Sequence, residues 1–427
     1  MSNENKLKEV LKNQIPLITP SKEDKKSLEK QAKSIIDIIK QNIKKQRVSA
    51  DVFIGGSFAK NTLIKKQRYD IDIFVRFDSK KYKDKEISAI LGRIMPKSAE
   101  KLHGSRDYFR IKSFEGNIEF EVIPTLKINK PEDAKNITDL SYFHVNYVEK
   151  QLAKNKKLAD EIRFAKAFAY YQNCYGAESY INGFSGYAME LLIINYKSFL
   201  NFIKAASKAD SKKEKILLDP AKHYKNKQNI EREMNESKIN SPIIMIDPTY
   251  KERNALAALS PETFIKFRES CRKFLKNPAN SFFEMVDIEK KLERKFGKKL
   301  IKLDISTEKQ AGDIAGTKLR KFSRFFLKEA ERYFNIKESE FIYDEKSNTG
   351  KILLAAEQKK EIVFSGPPIE MKEPLKLFKK KHKKIKMTKG KAYAYEHSIS
   401  FEKFLNDFEN EKSKIIADMD ISGINRL

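Results

Sequence analysis

Asp70 and Asp72 stand two residues apart in the run Tyr69-Asp70-Ile71-Asp72-Ile73-Phe74. Ile71, Ile73 and Val75 alternate with Asp70, Asp72 and Phe74, a period of two that predicts a half-buried strand. On such a strand the aspartates share one face, about 7 Å apart. Carboxylates held that close repel unless a cation lies between them, and hard oxygen donors suit Mg²⁺. Upstream stands Ile54-Gly55-Gly56-Ser57-Phe58-Ala59-Lys60, with twelve residues between Ser57 and Asp70. Gly-Gly-Ser allows a tight turn whose backbone N–H groups approach a phosphate. A third acidic segment, Ile118-Glu119-Phe120-Glu121-Val122-Ile123-Pro124, again puts two carboxylates on one strand face, and Pro124 is expected to end it. A lone Asp-x-Asp is a weak signal. Joined to the glycine turn and the second acidic strand, it points to metal-assisted transfer of a nucleotidyl group.

Other elements must hold these groups in place. Leu28, Ile35, Ile36, Ile38 and Ile39 recur among lysines, predicting an amphipathic helix over 21–46 that leads into a strand at Val52-Phe53-Ile54. Helix, strand, turn and catalytic strands make a mixed α/β domain closing near residue 140. The pattern turns helical from Tyr147 to Tyr171, and again from Ser185 to Ile203. Residues 206–240, rich in Lys, Asn, Glu and Ser, read as a solvated connection or frayed helix. Pro242 to Pro248 is an apolar, strand-like burst, and Pro261 to Leu275 is helical, with Pro278 as its breaker. Farther on, a helix at Leu319–Tyr333 is followed by short β-like runs at 341–343, 351–356 and 361–364.

A chain of 427 residues requires two to four domains. The formal charge of +28, from 87 Lys+Arg against 59 Asp+Glu, implies a polyanionic partner, nucleic acid first, although A/T-biased coding also enriches lysine. Cys174 and Cys271 lack neighbours at ligand spacing, so no disulfide framework or zinc site is indicated, and a reducing cytoplasmic location is expected. No apolar run approaches the ~18 residues of a membrane span, and no exported leader is read at the start. Lys376 to Lys391 holds nine lysines and no acid, interleaved with Leu377, Phe378, Ile385 and Met387. Such runs are usually solvated faces; here the apolar residues are expected to pack inward while the lysines meet an RNA backbone.

Over nearly its whole length the chain resembles the archaeal, class I tRNA CCA-adding enzymes. The head motif alone would place it only in the wider nucleotidyl transferase superfamily, beside poly(A) polymerases and oligoadenylate synthetases. Gly183-Phe184-Ser185-Gly186-Tyr187 followed by Met189-Glu190-Leu191-Leu192-Ile193 is more discriminating, as is Ile246-Asp247-Pro248 with Arg253-Asn254-Ala255 and Ala257-Ala258-Leu259-Ser260. Glu121-Val122-Ile123-Pro124 matches the third carboxylate strand, and Gly366-Pro367-Pro368 a landmark of the tail.

The resemblance implies an α+β multidomain chain with a polymerase β-like mixed α/β head (1–140), a helical neck (141–240), a body in two parts (241–286 and 376–427) and a tail (287–375). It implies addition of C, C and A to tRNA from CTP and ATP, with two Mg²⁺ ions and the tRNA acceptor arm as partner, and leaves room for a homodimer. Asp70, Asp72 and Glu121 match the catalytic, metal-holding carboxylates. Gly56, Ser57 and Lys60 in the head, and His144, Lys166 and Tyr175 in the neck, match nucleotide contacts; Arg253 matches the arginine that helps read the incoming base. Two positions depart from the family pattern. Glu121 replaces the usual aspartate, so its carboxylate must retract by roughly 1.5 Å. Lys60 replaces an arginine, offering a point charge for a fork.

Pattern alone reads several of these residues more plainly. His144 fits a satisfied histidine at a helix start, Lys166 an exposed lysine on a polar stripe, Tyr175 a plug at a helix end, and Arg253 a helix cap or a partner of Asp247. The Phe184–Tyr187 stretch reads as packing and turn geometry. Whether Glu119 assists Glu121 is left open. The rival functions are a poly(A) polymerase and a non-catalytic RNA binder with a decayed head.

Overall fold

The alternation around Asp70 and Asp72 becomes a strand because its apolar half finds a helix layer to bury against. The computed structural model describes residues 3–113, 117–209, 215–308 and 310–427. Two units divide the chain: Met1–Ala177 with Ile181–Met285, and Glu178–Tyr180 with Val286–Leu427.

The first unit opens with α1 (Asn3–Ile18) and α2 (Lys22–Lys45). Ser21 and Asp24 form a capping box at the start of α2, each side chain accepting from the other's backbone N–H at 3.0 Å. There follow β1 (Ala50–Ile54), α3 (Gly56–Ala59), β2 (Tyr69–Asp78), α4 (Ile87–Ile94), β3 (Glu100–Leu102), β4 (Tyr108–Lys112) and β5 (Ile118–Lys127). The strands form one sheet in the order β1-β2-β5-β4-β3, with β2 and β5 parallel. Ile71, Ile73, Val75 and Phe77 are buried with Leu28, Ala32 and Ile39 of α2 and Ile87, Leu91 and Ile94 of α4. The opposite face of β2 is thereby left to Asp70, Asp72, Phe74 and Arg76.

Pro124 does not end its strand, which continues to Lys127. Strand β4 pairs with β5 only over Glu119–Val122, so past that point the missing N–H of Pro124 removes no ladder bond on that side. Asp139, fully buried, ties off the strand end: it accepts from the N–H groups of Leu126 at 2.7 Å and Lys135 at 3.0 Å, and pairs with buried Arg106 at 2.5 Å.

The expected helix at 147–171 is two, α5 (Ser141–Lys154) and α6 (Leu158–Tyr171), because Asn155 leaves helical geometry and its side chain accepts from Lys157 N–H. The helix expected over 185–203 is likewise two. In α7 (Gly186–Tyr196) the chain stops at Lys197, which adopts a left-handed φ of 67°, and Ser198 caps the new helix α8 (Phe199–Lys208). Of the stretch read as a solvated connection, residues 210–214 lie outside the described residues. The rest forms β6 (Ile216–Leu218), α9 (Lys227–Glu233) and α10 (Glu236–Ile239), with Ile230 and Met234 buried against Ile244 and Ile246. Strands β7 (Ile243–Asp247) and β8 (Tyr250–Asn254) and helix α11 (Pro261–Lys276) complete this unit. Its helical core is aromatic: Phe168 lies within 6.2 Å, centroid to centroid, of Phe199, Phe267, Phe274, Phe282 and Phe283.

The second unit contains α12 (Ile288–Phe296), β9 (Leu300–Ser306), α13 (Gly312–Ala330), β10 (Phe334–Asp344), β11 (Thr349–Gln358), β12 (Glu361–Pro368), α14 (Lys372–Lys381), β13 (Ile385–Thr388), β14 (Lys391–His397), α15 (Phe401–Glu411), α16 (Ser413–Asp418) and β15 (Gly423–Arg426). Two sheets result, ordered β10-β11-β9-β15 and β12-β14-β13. In the lysine run, Leu377 and Met387 do not pack inward as expected; they are 68% and 43% exposed, because Leu375 and Phe378 supply the packing face of α14. Among the described residues no helix is long and apolar enough to cross a membrane.

Gly56 takes a φ of 60°, and a Cβ there would lie 1.7 Å from Oδ2 of Asp72. Gly56→Ala should therefore displace Asp72 as well as strain the turn, lowering stability by about 1–2 kcal/mol in denaturant unfolding of the whole chain. A variant as stable as the parent would show that the turn does not bear on Asp72.

Candidate active site

The parallel pairing of β2 with β5 sets Asp70 opposite Glu119 and Asp72 opposite Glu121. Asp70, Asp72 and Glu121 are thus brought onto one sheet surface, and each resists ionisation. Burial and the neighbouring aspartates push Glu121 up to about 8. Burial raises Asp72 to about 6, with Lys60 opposing and Asp70 adding to the rise, and Asp70 is raised by burial as well. Glu119 is spent elsewhere: it pairs with Arg68 at 3.1 Å and Arg110 at 3.4 Å. Lys66 lies 3.7 Å from Asp70 and over the rings of Tyr170 and Tyr175, at 5.3 and 5.5 Å. Among the described residues no three His, Cys, Asp or Glu side chains already converge as a metal cage.

Around this surface two buried carboxylates organise the remaining residues. Glu190, in the middle of α7, is fully buried and pairs with Lys60 at 2.5 Å and Lys166 at 2.7 Å. The Thr62 hydroxyl donates to Glu190 at 2.7 Å and accepts from Lys166 at 2.9 Å. Although burial works against ionisation, the two lysines hold the Glu190 carboxyl at about 2. Burial pulls Lys166 down to about 8, against the attraction of Glu190. Lys166 is 1% exposed, so the plain reading of a solvated lysine is corrected: its helix is buried on nearly every side.

Tyr175 is held by a short parallel bridge to Phe184, and Gly183 makes this possible, since a Cβ there would lie 2.2 Å from the Cys174 carbonyl oxygen. A Cβ on Gly186 would lie 2.8 Å from the Tyr175 hydroxyl and 3.8 Å from the Lys166 ammonium, which locates both groups beside the first turn of α7. Ser57 follows Gly56 in α3, and its carbonyl accepts from Thr62 N–H at 2.9 Å.

The second carboxylate is Asp247, at the end of β7. It accepts from Arg253 at 2.8 Å, from the Tyr187 hydroxyl at 3.0 Å and from the Thr249 hydroxyl at 2.8 Å, and His144 Nε2 lies 3.0 Å away. Burial alone would raise its carboxyl, yet His144 and Arg253 hold it well below the usual range. Burial also favours the neutral form of His144. Tyr187 joins the two clusters. Its ring stacks on His144 at 4.1 Å, with Arg253 at 5.4 Å and Lys60 at 5.7 Å from its centre. His144 does stand at the start of α5 and Arg253 does pair with Asp247, and the same contacts gather these residues at one place.

A family model described as nucleotidyltransferase domain matches residues 32–166, and one described as tRNA nucleotidyltransferase, second domain, matches 160–284. A CCA-adding enzyme of Nanoarchaeum equitans is 39% identical over 293 residues, covering 68% of this chain and 71% of its own. One from Methanocaldococcus jannaschii is 34% identical over 403 residues, covering 91% and 87%. The chain belongs to the archaeal CCA-adding enzyme family. Its members include this chain as a tRNA nucleotidyltransferase with a mixed α/β head. The fold is shared more widely: a structure of Cid1, titled for RNA terminal uridylyl transferase activity, superposes with a TM-score of 0.52 at 13% identity, over 67% of this chain and 99% of that one.

Sequence reasoning assigned no role to Glu190, Thr62 or Lys66, and took Tyr187 for packing. One signal was available for Glu190, the lone charge in Ala188–Ile194, where an apolar run on all sides of a helix demands buried partners. Thr62 and Lys66 carried no such signal.

The folded chain holds the Glu121 proton up to about pH 8, whereas the unfolded carboxyl releases it near its ordinary 4.5. Folded chains bind the extra proton in that window, so this contribution to stability is full below 4.5 and is lost as pH rises through 8. Glu121→Gln should raise the unfolding temperature of the metal-free protein at about pH 9 and leave it nearly unchanged at about pH 4. A constant difference at both pH values would show that repulsion at Glu121 is not the cause.

Proposed function

We propose that this enzyme adds C, C and A, without a nucleic-acid template, to the 3′ end of tRNA from CTP and ATP, releasing pyrophosphate. The observation that supports this best is the register of β2 and β5, which presents Asp70, Asp72 and Glu121 together beside the Gly56 turn. Three carboxylates raised by burial and mutual repulsion form an all-oxygen donor set suited to a hard divalent cation. Asp70, Asp72 and Glu121 would hold two Mg²⁺ ions, which when bound supply charge neutralisation at the attacking oxygen and at the departing pyrophosphate.

The rest of the work belongs to side chains. Glu121, ionised once a bound cation would offset the neighbouring acids, helps to take the proton of the tRNA 3′-hydroxyl as that hydroxyl oxygen bonds to the α-phosphorus, and the bond from that phosphorus to the bridging oxygen of the pyrophosphate breaks. Gly56, Ser57 and Lys60 from the head meet the triphosphate on one side, and Lys166 and Tyr175 from the neck on the other, with His144 beside the sugar or phosphates. Arg253, steered by Asp247 and Tyr187, reads the incoming base together with the RNA end. In this reading residues 1–140 act as head, 141–240 as neck and 287–375 as an RNA-binding tail, while residues 376–427, expected to join 241–286 in a body, fold in one unit with 287–375. The lysines of 376–391 contact phosphates by shape rather than sequence.

The test is incubation of the purified protein with a tRNA transcript lacking its 3′ end, Mg²⁺ and CTP, ATP or both, with products resolved to one nucleotide. Two additions from CTP and a third when ATP joins are expected, and Asp70→Ala should abolish both. A ladder of A residues would make the enzyme a poly(A) polymerase, and tRNA binding without extension would make it a binder. In the same assay Arg253→Ala should lose discrimination against UTP and GTP by about tenfold while the chain stays folded. Unchanged selectivity would remove Arg253 from base reading.

A further inference from the structure

Glu190 binds the two lysines proposed to meet the triphosphate from opposite sides. Lys60 comes from the segment after α3 and Lys166 from the middle of α6. A buried ammonium without a counter-charge gives up its proton, and two buried side by side also repel. Glu190 divides its oxygens between them, Oε2 to Lys60 and Oε1 to Lys166. The Thr62 hydroxyl completes the arrangement by bridging Lys166 and Glu190, and Lys166 reaches the Thr62 carbonyl at 3.4 Å. The two lysines share this one carboxylate, and both also act on Asp72 of the neighbouring surface. Had the position been apolar, the two ammonium groups would face each other with no carboxylate between them.

We infer that Glu190 is a positioning residue for the incoming nucleotide: it fixes Lys60 and Lys166 as a charged pair beside Tyr175 and the first turn of α7, ready for a polyphosphate. The inference rests on the triphosphate role proposed above for the two lysines. Glu190 acts only through them and does not meet the substrate.

Glu190→Gln keeps the shape and one acceptor and removes the charge. In the full-length enzyme it should raise KM for CTP and for ATP about tenfold, with KM for tRNA unchanged and kcat less affected, as expected when charged hydrogen bonds to a binding group are weakened. Glu190→Asp should recover most of the loss. Titration of CTP into the protein without tRNA should show the same weakening, while tRNA affinity in filter binding stays constant. Nucleotide affinity within twofold of the parent, or equal losses for nucleotide and tRNA, would overturn the inference. If Glu190→Gln fails to fold, Thr62→Val decides, since it keeps all three charges: a rise of about threefold in nucleotide KM or Kd is expected, and no rise overturns. A parent enzyme that binds CTP but adds nothing to tRNA would refute the transfer reaction alone, because the CTP titrations still judge Glu190.

Discussion

Strand β2 runs parallel to β5 through ten paired positions, and this pairing forces three carboxylates into one neighbourhood. Nothing in the sheet itself gains from that arrangement. The opposite face of β2 supplies the stabilisation, through Ile71, Ile73, Val75 and Phe77 buried under α2 and α4. A slip of one residue would turn those side chains outward, so the apolar face holds the register that the acids oppose. Burial first, and the neighbouring acids after it, raise the carboxyls of Asp72 and Glu121. Gly56 belongs to the same constraint, since only a residue without a Cβ lets the turn approach Asp72 so closely.

Two further carboxylates knit the first unit together, and both are satisfied by groups distant in sequence. Glu190 gathers Lys60, Thr62 and Lys166, and Asp247 gathers His144, Tyr187, Thr249 and Arg253. A buried charge is tolerable only when nearly all its partners are present, so such clusters define one geometry and penalise its alternatives. Tyr187 lies between them, stacked on His144 and facing both Lys60 and Arg253. The groups proposed for the phosphates and for the base are therefore coupled through one aromatic ring.

The second unit has a different character. Its core of Leu319, Phe322, Phe326, Phe401, Phe404 and Phe408 is built between α13 and α15, on one side of a four-stranded sheet. Lysines on α14 and β13 stay in solvent, and so do Leu377 and Met387.

The sequence by itself determined the strands at β1, β2 and β5, the acidic faces, the glycine turn and the family, because alternation, turn chemistry and motif spacing are local properties of the chain; the short strands β3 and β4 that complete the sheet carried no such pattern. His144, Lys166, Tyr175 and Arg253 were named only through the resemblance to the family, and their side-chain surroundings stayed out of reach. Helix breaks at Asn155 and Lys197 were missed because they are made by single backbone reversals inside otherwise helical patterns. Pro124 was misread because whether its missing N–H costs a bond depends on how far β4 extends alongside. Only the tertiary structure decided that Lys166 is buried, that Glu119 is spent on arginines, and that Glu190 and Asp247 are each the centre of a cluster of charged and polar side chains. Charges separated by dozens of residues interact through distance in space, and distance is set by the packing of helices onto the sheet, which no local pattern specifies.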